Sequence, residues 1–468
     1  MAVTTRPEQA LGYRAIVFTF AVLAAALAYF LIANRPQARP EAAAADVLAR
    51  AATRPVRPDI VILALDDAGV KKYGPVKTWP RSLLAQGISR AEAGGAKLVV
   101  VDLKLDQRTK TGDEALWKMM ANRRNVVLGM SYDATRDANH LTADDIRGLV
   151  FLEQFAIADN LTLDAQRTQQ FPYYFFEPPV SDFTQSAAGV GVFDRETDTD
   201  GVLRNARLIY TSKVEYPAAV TPIRGKFPTS NLADGVPVAL PNLALVAALR
   251  AFNLDKTSVH VVAGSNVHLT GQISPPVDVP VDEQGRMLIR YSGPAGTYPV
   301  VSFADVASGK IKPDFHNKIV LVGATATGDD ATDLTVTPFP TQMPRVEVTA
   351  NALATLLDRS YVEVVSRHAP HLLGTLLIVG LLVGLCLMFV SGARSAIVAL
   401  LLLVVYAAAC WAFFAFGHLL LPILPGFLII LLTFLVSLAL FLGPFRPVTV
   451  AVSPTYVPPP ADSVHDQS

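Results

Sequence analysis

The sequence predicts an α/β domain: a mostly parallel sheet with helices on both faces plus an antiparallel β insertion, joined to one N-terminal and three C-terminal transmembrane helices. Three observations point there. Asp59 to Asp106 reads as strand, helix and strand, a βαβ unit whose right-handed crossover makes the strands parallel. Its two strand runs, Asp59 to Leu65 and Leu98 to Val101, are continuously apolar, too much so for a sheet with one wet face. Four further stretches hold about 19–24 apolar residues each, enough to cross a bilayer.

Composition bounds the rest. The chain has 468 residues, of which 17% are charged, with Lys+Arg and Asp+Glu equal at 40 each. Its mean hydropathy is +0.36, high for a soluble protein. With no basic excess and no basic run, a nucleic-acid partner has no support. The two cysteines, Cys386 and Cys410, lie inside apolar stretches, so the polar part has neither a disulfide nor a cysteine metal site.

The first apolar stretch, 15–33, follows a short N-terminus (1–14) assigned to the cytoplasm. At about 1.5 Å per residue it reaches about 28 Å, the hydrocarbon thickness. A signal peptide is the competing reading, but its apolar region spans about 7–15 residues, so a retained anchor is preferred. Residues 34–58, rich in Ala, Pro and Arg, read as a linker with room for one helical turn. The soluble domain is assigned to 59–370. After the first strand come Asp66 and Asp67, then a turn with Gly69, Gly74 and Pro75, then Trp79-Pro80-Arg81 opening an amphipathic helix that Gly94-Gly95 ends. The second strand ends at Asp102. Asp66 and Asp102 are therefore expected at the carboxyl ends of neighbouring strands, where open α/β sheets bind ligands.

Further along, 113–122 reads as a helix, Val126 to Met130 as a strand, and 133–179 as irregular, with an aromatic cluster at 171–176 read as packing or an inserted hairpin. Asp198-Thr199-Asp200-Gly201 is a turn before an alternating strand from Val202 to Tyr210. Glu196, Asp198, Asp200 and Gly201 imitate the start of a calcium loop, but position twelve would be Arg207 and the flank is β. Asp198, Asp200 and Gly201 are accordingly assigned a structural turn. Pro241 to Phe252 reads as a helix, Ser258 to Tyr291 as short antiparallel strands, and Lys318 to Gly323 as another buried strand. The loop after it, with Gly323, Gly328 and Asp333, lacks the Lys-Ser/Thr of a P-loop and reads as completing a pocket. Pro344 to Leu357 presents Val346, Ala350, Leu353, Ala354 and Leu357 on one helix face.

The C-terminal spans are placed at 372–390, 396–416 and 419–442, with Pro422 and Pro425 near the outer end of the last. Arg394 and Arg446 flank them on one side, while Gly417 to Leu421 has no Lys or Arg, which puts those arginines in the cytoplasm. Four spans leave both termini in the cytoplasm, including a Pro-rich tail at 443–468, and the large domain outside.

Taken in order, these motifs resemble a CHASE2 sensory module. They are the strand ending in Asp66-Asp67, Trp79-Pro80-Arg81, Gly95-Ala96-Lys97 before Asp102, and Asp198-x-Asp200-Gly201-Val202-x-Arg204. Then come Ile289-Arg290-Tyr291-x-Gly293-Pro294, Lys318 to Gly323, Asp333 with Thr337-Pro338, and Val346-Glu347-Val348-x-Ala350-Asn351-Ala352. Arg345 departs from the family, which usually has Gly there. The tail is also too short for the cyclase or kinase outputs usual in the family. The resemblance implies a multi-pass protein of a bacterial inner membrane, embedded in lipid, whose periplasmic domain senses a small-molecule or protein signal. Its output would be a separate cytoplasmic partner of kinase or cyclase type. The alternative is an assembly subunit of an envelope complex that keeps the fold. A homodimer is left open.

The expected ligand site is Asp66, Asp67, Trp79, Arg81, Asp102 and Asp333, with the Arg81 guanidinium relieving repulsion between the carboxylates. Two readings stay open: a structural Asp–Arg network, or a site for a cationic, hydroxylated or metal-bridged ligand. No His lies in these motifs and no nucleophile–base pair stands out, so no catalytic residue, resident metal or cofactor is expected.

Overall fold

The computed structural model describes residues 7–33, 39–109, 111–133, 142–157, 161–162, 175–193, 196–212, 226, 238–262, 265–271, 273, 275–328, 334–365 and 369–443. The chain divides into two units. One comprises Met1–Ala38, His368–Cys410 and Pro422–Ser468; the other comprises Arg39–Arg367 and Trp411–Leu421.

Helix α1 (Pro7–Ala33) and α2 (Arg39–Ala51) precede β1 (Ile60–Leu65), α3 (Asp67–Tyr73), α4 (Arg81–Ala93), β2 (Leu98–Asp102), α5 (Asp113–Arg123) and β3 (Val126–Asp133). Next are α6 (Ala143–Leu152), β4 (Leu161–Thr162), β5 (Phe175–Glu177), α7 (Ser181–Ser186), β6 (Gly189–Val192), β7 (Asn205–Arg207), β8 (Ile209–Ser212) and β9 (Val238–Pro241). Helix α8 (Leu243–Ala251) leads to β10 (Val259–Val262), β11 (Asn266–Leu269), β12 (Val277–Pro280), β13 (Arg286–Leu288), β14 (Val300–Ser302) and α9 (Phe303–Ser308). The rest is β15 (Ile319–Ala324), β16 (Leu334–Thr335), β17 (Met343–Pro344), α10 (Arg345–Leu357), β18 (Glu363–Val364), α11 (Ala369–Leu387), α12 (Ala393–Ala415), β19 (Leu419–Leu420) and α13 (Ile423–Leu442).

The central sheet runs β14-β1-β15-β2-β3-β5, with β6 also on β3. Its pairs are parallel except β3 with β5. The strand period of two sends alternate side chains to opposite faces. Ile60, Ile62, Leu98, Val100 and Leu321 join a core with α8 and α10. Val61, Leu63, Val99, Val101 and Val320 join another with α4, α5, α6 and α9. Both faces are covered, as the continuous apolar runs require. Helix α4 reaches α9 closely because residue 87 is glycine: a Cβ there would lie 2.1 Å from Phe303 Cζ. The β insertion has antiparallel β10, β11 and β12, with β4 added parallel to β10.

Several expectations need correction. The linker at 34–58 contains the whole of α2, which its Ala-rich run favours and Pro40 can enter near the first turn. The turn after Asp67 is helix α3, capped by Asp66. The strand expected from Val202 to Tyr210 divides at Leu208 into β7, paired with β13, and β8, paired with β9. Strands β1 and β2 are not neighbours, because β15 pairs with both. The last span begins at Ile423 rather than 419: Leu419–Leu420 is drawn into a parallel pair with Glu363–Val364. Pro422 is the N-cap of α13 and Pro425 lies in its first turn, where no backbone donor is needed and no kink results. Within the aromatic cluster, 171–174 lie outside the described residues, while Phe176 is buried in β5.

The other unit is helical. Among the described residues, four helices are long and apolar enough to cross a membrane: Leu11–Leu31, Pro370–Leu387, Ala393–Ala415 and Ile423–Leu442. Gly380 and Gly384 of α11 meet α1 so closely that a Cβ at 380 would stand 2.8 Å from Ala21 O, a small-xxx-small contact of the kind membrane helices use. Tyr13 Oη donates to Val390 O at 2.7 Å. Large apolar side chains such as Leu23, Phe30, Ile378, Leu400 and Val405 point outward, the arrangement a lipid solvent rewards.

Candidate functional site

The carboxyl edge of the sheet was the expected site. Asp66 immediately follows β1 and accepts from Gly69 N at 2.8 Å, the N-cap bond of α3. Asp67 is exposed and accepts from Thr327 N at 2.7 Å and Thr327 Oγ1 at 3.0 Å, joining α3 to the loop after β15. Asp102 accepts from Thr349 Oγ1 of α10 at 2.7 Å. Trp79 is buried; its Nε1 donates to Gly74 O at 2.8 Å, and its ring lies against Tyr73 and Phe303. Arg81 opens α4 with its Nε 3.8 Å from Asp113 Oδ1. Burial pulls the Arg81 pKa down, with Asp113 and Asp106 opposing. Asp333 lies outside the described residues.

The edge therefore brings Asp67 to Thr327 and Asp102 to Thr349, but not Asp66 to Asp102 through Arg81. With β15 between their strands, and Asp102 level with Ala64 rather than Asp66, the two positions are more than two strand spacings, roughly 9.6 Å, apart along the backbone. That separation removes the repulsion Arg81 was expected to relieve, and Asp113 is its near carboxylate. Among the described residues no group of three or more His, Cys, Asp or Glu is placed to hold a metal.

The turn at Asp198–Gly201 has Gly201 at φ 83° and its N–H donating to Asp198 O at 2.9 Å. Its carboxylates meet cations of the protein. Arg204 contacts Asp198 at 3.1 Å, Asp200 at 2.9 Å through both terminal nitrogens, and Asp46 of α2 at 2.6 and 2.8 Å. Burial opposes its charge, but the hydrogen bonds to Asp46 and Asp200 outweigh this, and its pKa is raised. Arg207, at the calcium-loop position that excluded calcium, is paired with Glu196 at 2.6 Å.

A second buried cluster was missed. Glu347 of α10 accepts from the amides of Gly296 at 2.8 Å, Thr297 at 2.9 Å and Tyr298 at 3.4 Å. One turn on, Asn351 accepts from Ser292 N at 2.8 Å. Arg54, 6% exposed, donates to Arg290 O at 2.7 Å, Tyr298 Oη at 2.8 Å and Asp358 at 2.9 Å. Arg290, 5% exposed, donates to Phe414 O at 2.7 Å and Ala52 O at 3.3 Å. The signal was present in the spacing: Glu347 and Asn351 share a helix face, and Arg290 sits in the motif before Gly293-Pro294. Arg345 opens α10 in ordinary helical conformation, so its place does not demand the glycine usual in the family.

These features define a membrane protein: a doubly covered α/β domain on a chain with four helices able to span a bilayer. Residues 20–392 match the CHASE2 domain, and the chain belongs to that family of sensory extracellular domains. No curated protein and no solved structure matches it.

Proposed function

We propose that this chain is an extracytoplasmic sensor of a bacterial inner membrane, binding an envelope signal and relaying it through its helices to a cytoplasmic output partner of kinase or cyclase type. The carrying observation is that a CHASE2 α/β unit incorporates α2, which follows the first candidate span, and also Trp411–Leu421, which joins the last two. A ligand that binds one domain state better than another can bias what those segments do. In this reading both termini are cytoplasmic, the domain is periplasmic, and the protein performs no catalysis of its own. An assembly subunit is the second reading. It is favoured by the engagement of Asp66, Asp67 and Asp102 with donors of the protein itself.

A cyclase catalytic domain fused after Ser468, in a cyclase-deficient bacterium, tests the choice. Cyclic AMP that changes with envelope conditions supports the sensor. A constant level under every condition, together with an envelope defect in the deletion strain, would overturn it in favour of the assembly subunit.

A further inference from the structure

Arg290 is unusual among the buried cations. Asp46, Asp198 and Asp200 surround Arg204, and Asp358 faces Arg54, whereas the acceptors of Arg290 are carbonyls. Burial, and then the neighbouring Arg54, lower its pKa. A buried charge without a carboxylate is costly, so its acceptors must carry compensating charge. They do, because both lie at helix C-termini: Ala52 O immediately follows α2, and Phe414 O belongs to the last turn of α12. Each helix end carries about −0.5 of an elementary charge, so two such ends offset about one guanidinium. The last carbonyls of a helix lack intrahelical donors, and Arg290 supplies donors to both helices. Its Cζ also lies 4.7 Å from the centroid of the Phe414 ring.

Other contacts converge there. Trp411 Nε1 donates to Ala51 O at 3.3 Å. Ala52, Val362 and Phe414 form one apolar cluster, and β18, shortly before α11, pairs with β19. Arg290 thus bonds the segment that follows the first candidate span and the end of the third, and Val362, beside β18, packs in the same cluster. On the other side Arg290 is tied into the domain: its N–H is donated to Thr355 Oγ1 at 3.1 Å, and its own carbonyl accepts from Arg54.

We propose that Arg290 is the positioning residue of the relay, a clasp that holds the C-terminal ends of α2 and α12 to the domain so that a domain shift reaches both. This rests on the sensor reading, and its test separates the two. In the full chain in vesicles, Arg290→Met should speed amide exchange about tenfold at 48–54 and at 411–421, the loss of one buried charge-assisted bond at each end, with β1 and β15 unchanged. Phe414→Leu removes the ring but keeps the carbonyl, and should loosen 411–421 alone. Should the Met variant not fold, Arg290→Lys, which keeps the charge but loses the planar fork, serves in its place. In the cyclase fusion the same variants should shift basal cyclic AMP about fivefold from wild type, the factor that a roughly 1 kcal/mol bias puts on an equilibrium between two states. Unchanged exchange at either helix end overturns the clasp. Loosened ends with wild-type cyclic AMP overturn its place in the relay. A wild-type fusion that never responds to any condition removes the sensor reading, and the exchange pattern then decides the clasp alone.

Discussion

The carboxyl edge of the sheet and the junction around Arg290 are both built on charge, but on opposite terms. At the edge the charged groups are carboxylates, half-buried or exposed, held by neutral donors such as Thr327 and Thr349. At the junction they are guanidiniums, 5–6% exposed, held largely by carbonyls. Water can replace a lost partner at the edge, so an incoming ligand can exchange with Thr327 at small cost. At the junction no solvent stands ready, and a released bond leaves a buried polar group unpaired. Under the proposed function, the difference would suit reception to the edge and transmission to the junction.

Helix α10 belongs to both regions, since Thr349 reaches Asp102 while Glu347, Asn351 and Thr355 reach the junction. Displacing it should erase the contrast altogether. Leu353 is fully buried on its inner face, and Leu353→Asp would place an unpaired charge there. A loss of about 4 kcal/mol is expected, read as a lowered or absent unfolding transition of the detergent-solubilised chain. A variant that keeps its thermal midpoint would show that α10 does not hold the two regions together.

Two buried glutamates repeat the contrast on a smaller scale. Glu347 has three backbone amides around it, whereas both carboxylate oxygens of Glu92 in α4 lack a hydrogen bond and Arg123 stands 4.0 Å away. Burial pushes the Glu92 pKa from 4.5 up to about 7, against the pull of Arg123. The folded state therefore holds a proton that the unfolded chain releases above its ordinary pKa. The Glu92 contribution to stability is intact below pH 4.5, is lost as pH rises through 7, and levels off beyond. The full swing is on the order of 3 kcal/mol. Glu92→Gln should flatten the profile over that window in denaturant titrations; a parallel slope in the variant would assign the pH dependence elsewhere.

The sheet was legible because its strands are uninterrupted apolar runs and its helices carry clear stripes. Strand order was not, because nothing in Leu98 to Asp102 reveals that Ile319–Ala324 lies between it and β1. That one insertion undid the expected Asp66–Arg81–Asp102 network while leaving each residue at the predicted edge or helix start. The junction was harder still. Arg290 binds carbonyls, which every residue possesses, so no partner side chain in the sequence announces it, and the side-chain partners of Arg54, Tyr298 and Asp358, lie more than two hundred residues away. Turn chemistry did single out Asp198 and Asp200, but their pairing with Arg204, four residues beyond Asp200, was not read from it; Asp46, from a segment read as linker, could not be anticipated.

The smallest expected effect on stability falls at Asp67. Its carboxylate is exposed and joins Thr327 across two loop ends, so Asp67→Ala should cost within about 1 kcal/mol, far less than any change at α10. Under the proposed function it should still alter the cyclase fusion, because the bond it removes fixes the loop after β15 to α3 beside Asp66 and Asp102. A folded Asp67→Ala chain with a changed response would place reception at the edge and keep stability at the junction. A chain unchanged in both measurements would mean that Asp67 neither binds nor positions anything that matters, and reception would have to be sought away from this edge.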